Sequence, residues 1–318
     1  MIESFLRQIV LAAPLFGLVF LGWGVMRVTR LRDSIARMLS RFVFTVALPA
    51  LLFRMMSDFS RLPAVDARLL FAFFGGCLLV FAAGRIVAWR IFGMDGVAQS
   101  VFALGGIFSN NVLLGVPLAR AALGEAAAAP VALVLVFNAL ILWTLVTVSV
   151  EWSRHGTFTA AGFLRTARGV ITNPIVASIV GGTLFGLAGL HIPEALDVPL
   201  AALARSASPL ALLALGMGLA GYDIRSGWRV SVAISFMKLA VQPFAVWGLA
   251  RLLGLPLLET QAVTLLASLS VGVNVYLMAR QFRVLEGPVA ASLVLSTAAA
   301  ALTTPLALAL VASASQGA

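Results

Sequence analysis

Slid by 160 residues, the chain matches itself: Pro14 falls on Pro174, Gly22 on Gly182, Pro49 on Pro209 and Arg120 on Arg280. Alanines and leucines coincide cheaply in so apolar a chain, but paired prolines and arginines do not. The repeating units are ten stretches long and apolar enough to cross a bilayer, which takes a helix about 20 residues. The first four correspond to the sixth to ninth. Five spans per repeat is an odd number, so the second repeat enters the membrane with the opposite orientation. The expectation is an all-α integral membrane fold of ten transmembrane helices, with residues 1–155 as the first five-helix repeat and 160–318 as the second, inverted one. Chains of this kind are transporters whose ligand sits near the midplane, where the repeats meet.

Composition closes off the soluble alternatives. Of the residues, 61% are hydrophobic and 11% charged, with a mean hydropathy of +1.06, against about 25% charged in soluble domains. The expected spans are Gln8–Val28, Ile35–Phe53, Leu69–Ile91, Ala98–Ala119, Pro130–Trp152, Gly169–Leu187, Leu200–Gly221, Val230–Leu253, Glu259–Ala279 and Pro288–Val311. The opening segment carries Glu3 and Arg7, has little net charge and lacks a cleavage motif, so it reads as a span and not a leader. The single Cys77 falls inside a span and excludes an intramolecular disulfide.

Arginine placement sets the expected orientation. Arg27, Arg30, Arg32, Arg37 and Arg41 surround the first loop, and Arg90, Arg154, Arg165, Arg168, Arg225, Arg229, Arg280 and Arg283 fall on the same side. Fewer lie opposite, so this side is cytoplasmic by the positive-inside rule, with both termini non-cytoplasmic and the cell (inner) membrane as the location. The net charge of +10 is then a topology signal. It is no sign of nucleic-acid binding, because no basic segment with interleaved aromatics stands outside the spans.

Chemistry concentrates in the fourth span, Ser109-Asn110-Asn111-Val112-Leu113-Leu114-Gly115-Val116-Pro117-Leu118. Two amides, a glycine and a proline predict one half-helix ending near Asn110 and another starting near Pro117, since proline suits a helix's first turn. The start of the second half would attract an anion, and the carbonyl end of the first would attract a cation. The ninth span repeats the interruption in Ala267-Ser268-Leu269-Ser270-Val271-Gly272-Val273-Asn274, where Asn274 is a candidate helix cap. Paired interruptions in two repeats are the strongest sequence pointer to a transporter site. The bland alternative for each Ser and Gly is close helix packing, and for the amides a bond to a neighbouring helix.

The same residues resemble the auxin efflux carrier family. Its pattern Asn-x-x-x-Leu-Gly-x-Pro-Leu is met by Asn110, Leu114, Gly115, Pro117 and Leu118. Further matches are Phe42-Val43-Phe44, Leu48 to Phe53, Asn173-Pro174-Ile175, Pro209-Leu210-Ala211-Leu212, Gly272 to Leu277 and Thr304-Pro305-Leu306. The Gly-Val-Asn-Val-Tyr run resembles the malonate-type permease branch. Where the family places a proline in the ninth helix this chain has Ser270, whose hydroxyl is expected to bend the helix by bonding a carbonyl. The resemblance implies a crossover fold, with a scaffold of helices 1, 2, 6 and 7, a moving unit of the others, and room for a homodimer through the scaffold.

Charges inside the spans narrow the mechanism. No Asp or Glu lies near a span centre, so a carboxylate proton relay lacks its residue. Lys238 is the one ammonium deep in a span, read either as a carboxylate partner or as a lysine reaching for the interface, and Asn138 in mid-helix five either faces the site or bonds a neighbour. His155 and His191 lie in separate loops, leaving no metal cluster and no Ser-His pair, and no phosphate-binding loop is present. The reading is a secondary transporter, not an enzyme, for malonate or a related dicarboxylate. Its substrate-binding candidates are Asn110, Asn111, Gly115, Pro117, Ser268, Ser270, Gly272, Asn274, Lys238 and Asn138. Sodium near Asn110, Ser268 and Asn274, or a proton, is the coupling ion. Export of auxin-like aromatic carboxylates and a non-transporting anion receptor stay open as alternatives.

Overall fold

The computed structural model describes residues 2–29, 33–57, 66–155, 174–222 and 227–316. Arg30, Arg32, Arg165, Arg168, Asn173 and Arg225, used above, lie outside the described residues, as do the first residues of the sixth expected span. Within them every regular element is helical: α1 (Ile2–Thr29), α2 (Ser34–Ser57), α3 (Arg68–Arg90), α4 (Gly96–Gly105), α5 (Asn111–Leu123), α6 (Ala128–His155), α7 (Pro174–Leu187), α8 (Glu194–Leu219), α9 (Trp228–Leu252), α10 (Leu257–Ser268), α11 (Val273–Phe282) and α12 (Glu286–Gln316). By length and composition seven of these can cross a membrane: α1, α2, α3, α6, α8, α9 and α12. Their outer faces are apolar, with Leu21, Phe71, Phe236 and Leu252 exposed. That is the pattern of a surface solvated by lipid. His155 closes α6 and does not sit in a loop.

The helices pack in two groups. One joins α1 to α8 and α2 to α7; the other gathers α3, α4, α9, α10 and α12. Contact in the first group is close because glycine removes the side chain. A Cβ on Gly22 would strike the carbonyl oxygen of Leu213, and one on Gly216 that of Val19. On the α2–α7 side, a Cβ on Gly182 would lie 2.5 Å from the Phe53 carbonyl oxygen. Small residues that let backbones touch are the main attractive device between helices in lipid.

The expected fourth and ninth spans are both broken, at a place that differs from expectation. The helix α4 stops at Gly105, and α5 begins at Asn111, six residues before Pro117. Pro117 does not open the half-helix, because a wide turn precedes it. The N–H groups of both Leu114 and Gly115 reach the Asn110 carbonyl, at 3.1 and 3.2 Å, and this extra residue makes room for the proline ring. In the second pair Gly272 occupies the cap position and Asn274 makes no cap. The break is an extended backbone from Leu269 to Gly272, and the Ser270 hydroxyl bonds no carbonyl. Each half-helix of ten to thirteen residues spans about 15–20 Å, half a bilayer core or slightly more.

The freed ends are held by their neighbours. From α9, Lys238 Nζ donates to the Ala267 carbonyl, and one turn on Gln242 Nε2 donates to the Ile107 carbonyl at 2.8 Å. From α12, Thr304 Oγ1 donates to the Ser268 carbonyl at 2.8 Å, and Ser296 Oγ accepts the Val271 N–H at 3.0 Å. Lys238 is 0% exposed, so it does not reach for the interface.

Two outcomes follow for stability, measured as thermal unfolding in detergent. Gly216→Val forces α1 and α8 apart and is expected to cost about 1–3 kcal/mol, while Gly218→Ala, which meets nothing within 4 Å, leaves the midpoint unchanged. Ser296→Ala strands the buried Val271 N–H, for a loss of about 1–3 kcal/mol. The matching change Ser292→Ala removes only a local bond to the Val289 carbonyl and costs less.

Candidate functional site

The two breaks meet. Phe108 to Asn110 and Ser270 to Gly272 run antiparallel, with the Asn110 N–H on the Ser270 carbonyl at 3.0 Å and the Gly272 N–H on the Phe108 carbonyl at 2.7 Å. Gly272 is required by proximity: a Cβ there would sit 3.0 Å from both the Phe108 ring and the Ser109 carbonyl oxygen. Helices α5 and α11 therefore start at one point and leave in different directions.

A cavity of about 390 Å³ opens beside this crossing. Its polar wall is Ser109, Asn110, Asn111, Asn138, Gly272 and Asn274, and its apolar wall includes Phe44, Phe108, Trp143, Pro174 and Ile179. The lining thus comes from α2 and α7 of the first group and from α5, α6, α11 and the two breaks. Val112 and Leu113 of α5 and Val273 and Asn274 of α11 also line it. They belong to first turns, whose N–H groups have no acceptor within their own helix. Two positive helix ends therefore frame the space.

Of the ten expected site residues, the lining brings together Asn110, Asn111, Asn138, Gly272 and Asn274. Asn138 answers both of its readings, since it lines the cavity and accepts from Asn111 Nδ2 at 3.3 Å. Asn110 Nδ2, Asn111 Oδ1 and Ser109 Oγ are buried without a partner. The other five stand behind the crossing. Gly115 packs under Leu266 and Leu269, and Pro117 is buried in α5. Ser268 donates to the Leu265 carbonyl at 2.9 Å, Ser270 is wholly buried, and Lys238 holds the end of α10. Among the described residues no Asp or Glu lines the cavity, and no group of three His, Cys, Asp or Glu can hold a metal.

Sequence reasoning passed over the aromatic wall and the supports Gln242, Ser296 and Thr304. Gln242 had a signal, four residues after Lys238 and so on the same helix face. Thr304 had one in the Thr304-Pro305-Leu306 match, whereas Trp143 and Ser296 sit in helices without periodicity to single them out. In the first turn of α11, Tyr276 packs at a tilt against Tyr222 with ring centroids 4.9 Å apart. Burial, then the neighbouring Tyr276, push the Tyr222 phenol up to about 12, so it stays a protonated hydrogen-bond donor at neutral pH.

Buried amide and hydroxyl groups beside two helix starts are an arrangement that can hold an anion. Residues 8–308 match the family described as membrane transport protein. A chain of Rhizobium meliloti (strain 1021), provisionally named a malonate transporter, is 29% identical over 297 residues, covering 90% of each chain. The chain is a multi-pass membrane protein of the membrane transport protein family, the auxin efflux carrier family that its motifs resemble.

Proposed function

We propose that this chain is a secondary active transporter of a small organic anion, malonate or a related dicarboxylate, which works by alternating access coupled to Na⁺ or H⁺. The observation that carries the reading is the cavity at the crossing, framed by two helix starts and lined by the unpartnered Asn110 Nδ2 and Ser109 Oγ, both able to donate to an anion. A carboxylate entering it exchanges water for preorganised N–H donors. The name of the Rhizobium relative supports the substrate class.

Counting α4 with α5 and α10 with α11 as one crossing each gives ten spans in two five-helix repeats. Contacts related by the 160-residue shift support that count: Gly22 meets Leu213 as Gly182 meets Phe53, and Asn110 pairs with Ser270. In this reading α1, α2, α7 and α8 form the scaffold and the remaining helices carry the crossing past it. The arginine-rich ends face the cytoplasm of a cell whose inner membrane holds the protein, and the termini face outward. Aromatic residues Phe44, Phe108 and Trp143 in the lining favour one second reading, transport of an aromatic carboxylate.

Uptake of labelled malonate into proteoliposomes tests both. Native protein should accumulate malonate, with stimulation by an inward Na⁺ or H⁺ gradient naming the ion. Asn110→Ala and Asn274→Ala should each lower uptake about tenfold or more at unchanged expression, as expected from losing a hydrogen bond to a charged group. Native uptake rates in both variants would remove the site from the crossing, and indole-3-acetate competing better than malonate would select the aromatic substrate.

A further inference from the structure

We propose a second ligand site in this chain, facing the lipid between α9, α10 and α12, for an uncharged apolar molecule that carries a carbonyl group. The cavity there measures about 460 Å³, a size typical of small-molecule sites. It is walled by Pro243, Phe244 and Trp247 of α9, Thr264 of α10, and Thr303 and Leu306 of α12, among other apolar residues. Three polar atoms on this wall, Trp247 Nε1, Thr264 Oγ1 and Thr303 Oγ1, are buried and have no hydrogen-bond partner. Thr264 is only 2% exposed. Ser313, also on the wall, is satisfied by the Leu310 carbonyl.

Orphaned polar groups are costly at membrane depth, where no bulk water reaches them. Three of them, contributed by three helices, converge on one space, which assigns their missing partner to whatever fills it. An indole N–H only donates, and both hydroxyls can donate, so the occupant presents an acceptor. No charged side chain lines the cavity, so an ionised ligand would have no counter-charge there. Phe244 is 61% exposed and Leu306 43%, so the opening faces the bilayer and entry is from lipid. A carbonyl on an apolar body meets these conditions, either as the ester of a neutral lipid or as the ring oxygen of a lipid-soluble quinone.

The site shares no lining residue with the cavity at the crossing. Its helices are those that support the crossing: Leu239 on its wall follows Lys238, and Thr264 lies one turn before Ser268. An occupant therefore braces the helix segments that hold the crossing from behind.

Tryptophan fluorescence of the full chain in detergent provides the test, with decylubiquinone as quencher, a monoacylglycerol as ester competitor and hexadecane as a competitor without an acceptor. Saturable quenching is expected to lose its Trp247 component in Trp247→Phe. In Thr264→Val/Thr303→Val, which keeps the fluorophore and the shape, it should weaken about tenfold, the effect of two lost hydrogen bonds. Displacement of the quinone by monoacylglycerol but not hexadecane identifies a lipid ester as the occupant; quinone binding that the ester does not displace identifies a quinone. Equal displacement by hexadecane, unchanged quenching in Trp247→Phe, native affinity in the double threonine variant, or no saturable binding of either carbonyl probe would each overturn the proposal.

Discussion

A peptide group without a partner in hydrocarbon is the constraint on which the rest of this structure depends. Interrupting α4–α5 and α10–α11 at membrane depth frees main-chain groups that an unbroken helix would satisfy itself. Two of those groups on each side pair across the crossing, as Phe108 with Gly272 and Asn110 with Ser270. The next ones out are met by Lys238, Gln242, Thr304 and Ser296. After these, the first turns of α5 and α11 and the amides beside them are what remains to face the cavity.

This explains why a lysine is tolerated at the centre of the molecule. Lys238 is fully buried and bonds to a main-chain carbonyl at the negative end of α10. The end of a helix dipole is a partial charge, so the ammonium is opposed by backbone and not by a carboxylate. Gln242, one turn away, serves the other break with a neutral donor, and its Oε1 is left without a partner. The two breaks are alike in backbone and unlike in charge.

Much of this was legible in the residues. Runs of apolar residues gave the helices, and Asn110 to Pro117 with Ser268 to Asn274 marked both interruptions, because polar and glycine clusters recur at matching positions of the two repeats. The position of each break within its run was less legible. Pro117 suggested a helix start, but a wide turn at Asn111–Gly115 absorbs it six residues later than the true start. Nor does sequence say which way a polar side chain points: Asn274 read as a cap and lines the cavity, while Lys238 read as a ligand and supports α10 from behind. Those directions depend on α9 and α12 packing against the breaks, which is tertiary information.

At the crossing, Asn110 bonds the residue that the 160-residue shift makes its own counterpart, Ser270. A point where a chain meets its own counterpart has the geometry of a two-fold axis, yet the side chains on the two sides differ: a pair of amides at Asn110 and Asn111, a serine and a valine at Ser270 and Val271. Only the first pair reaches the cavity, because Ser270 and Val271 are buried behind the crossing. A ligand with two like ends lying there would meet unlike partners at each end, so its two poses would be unequal in energy within a frame that is nearly symmetrical.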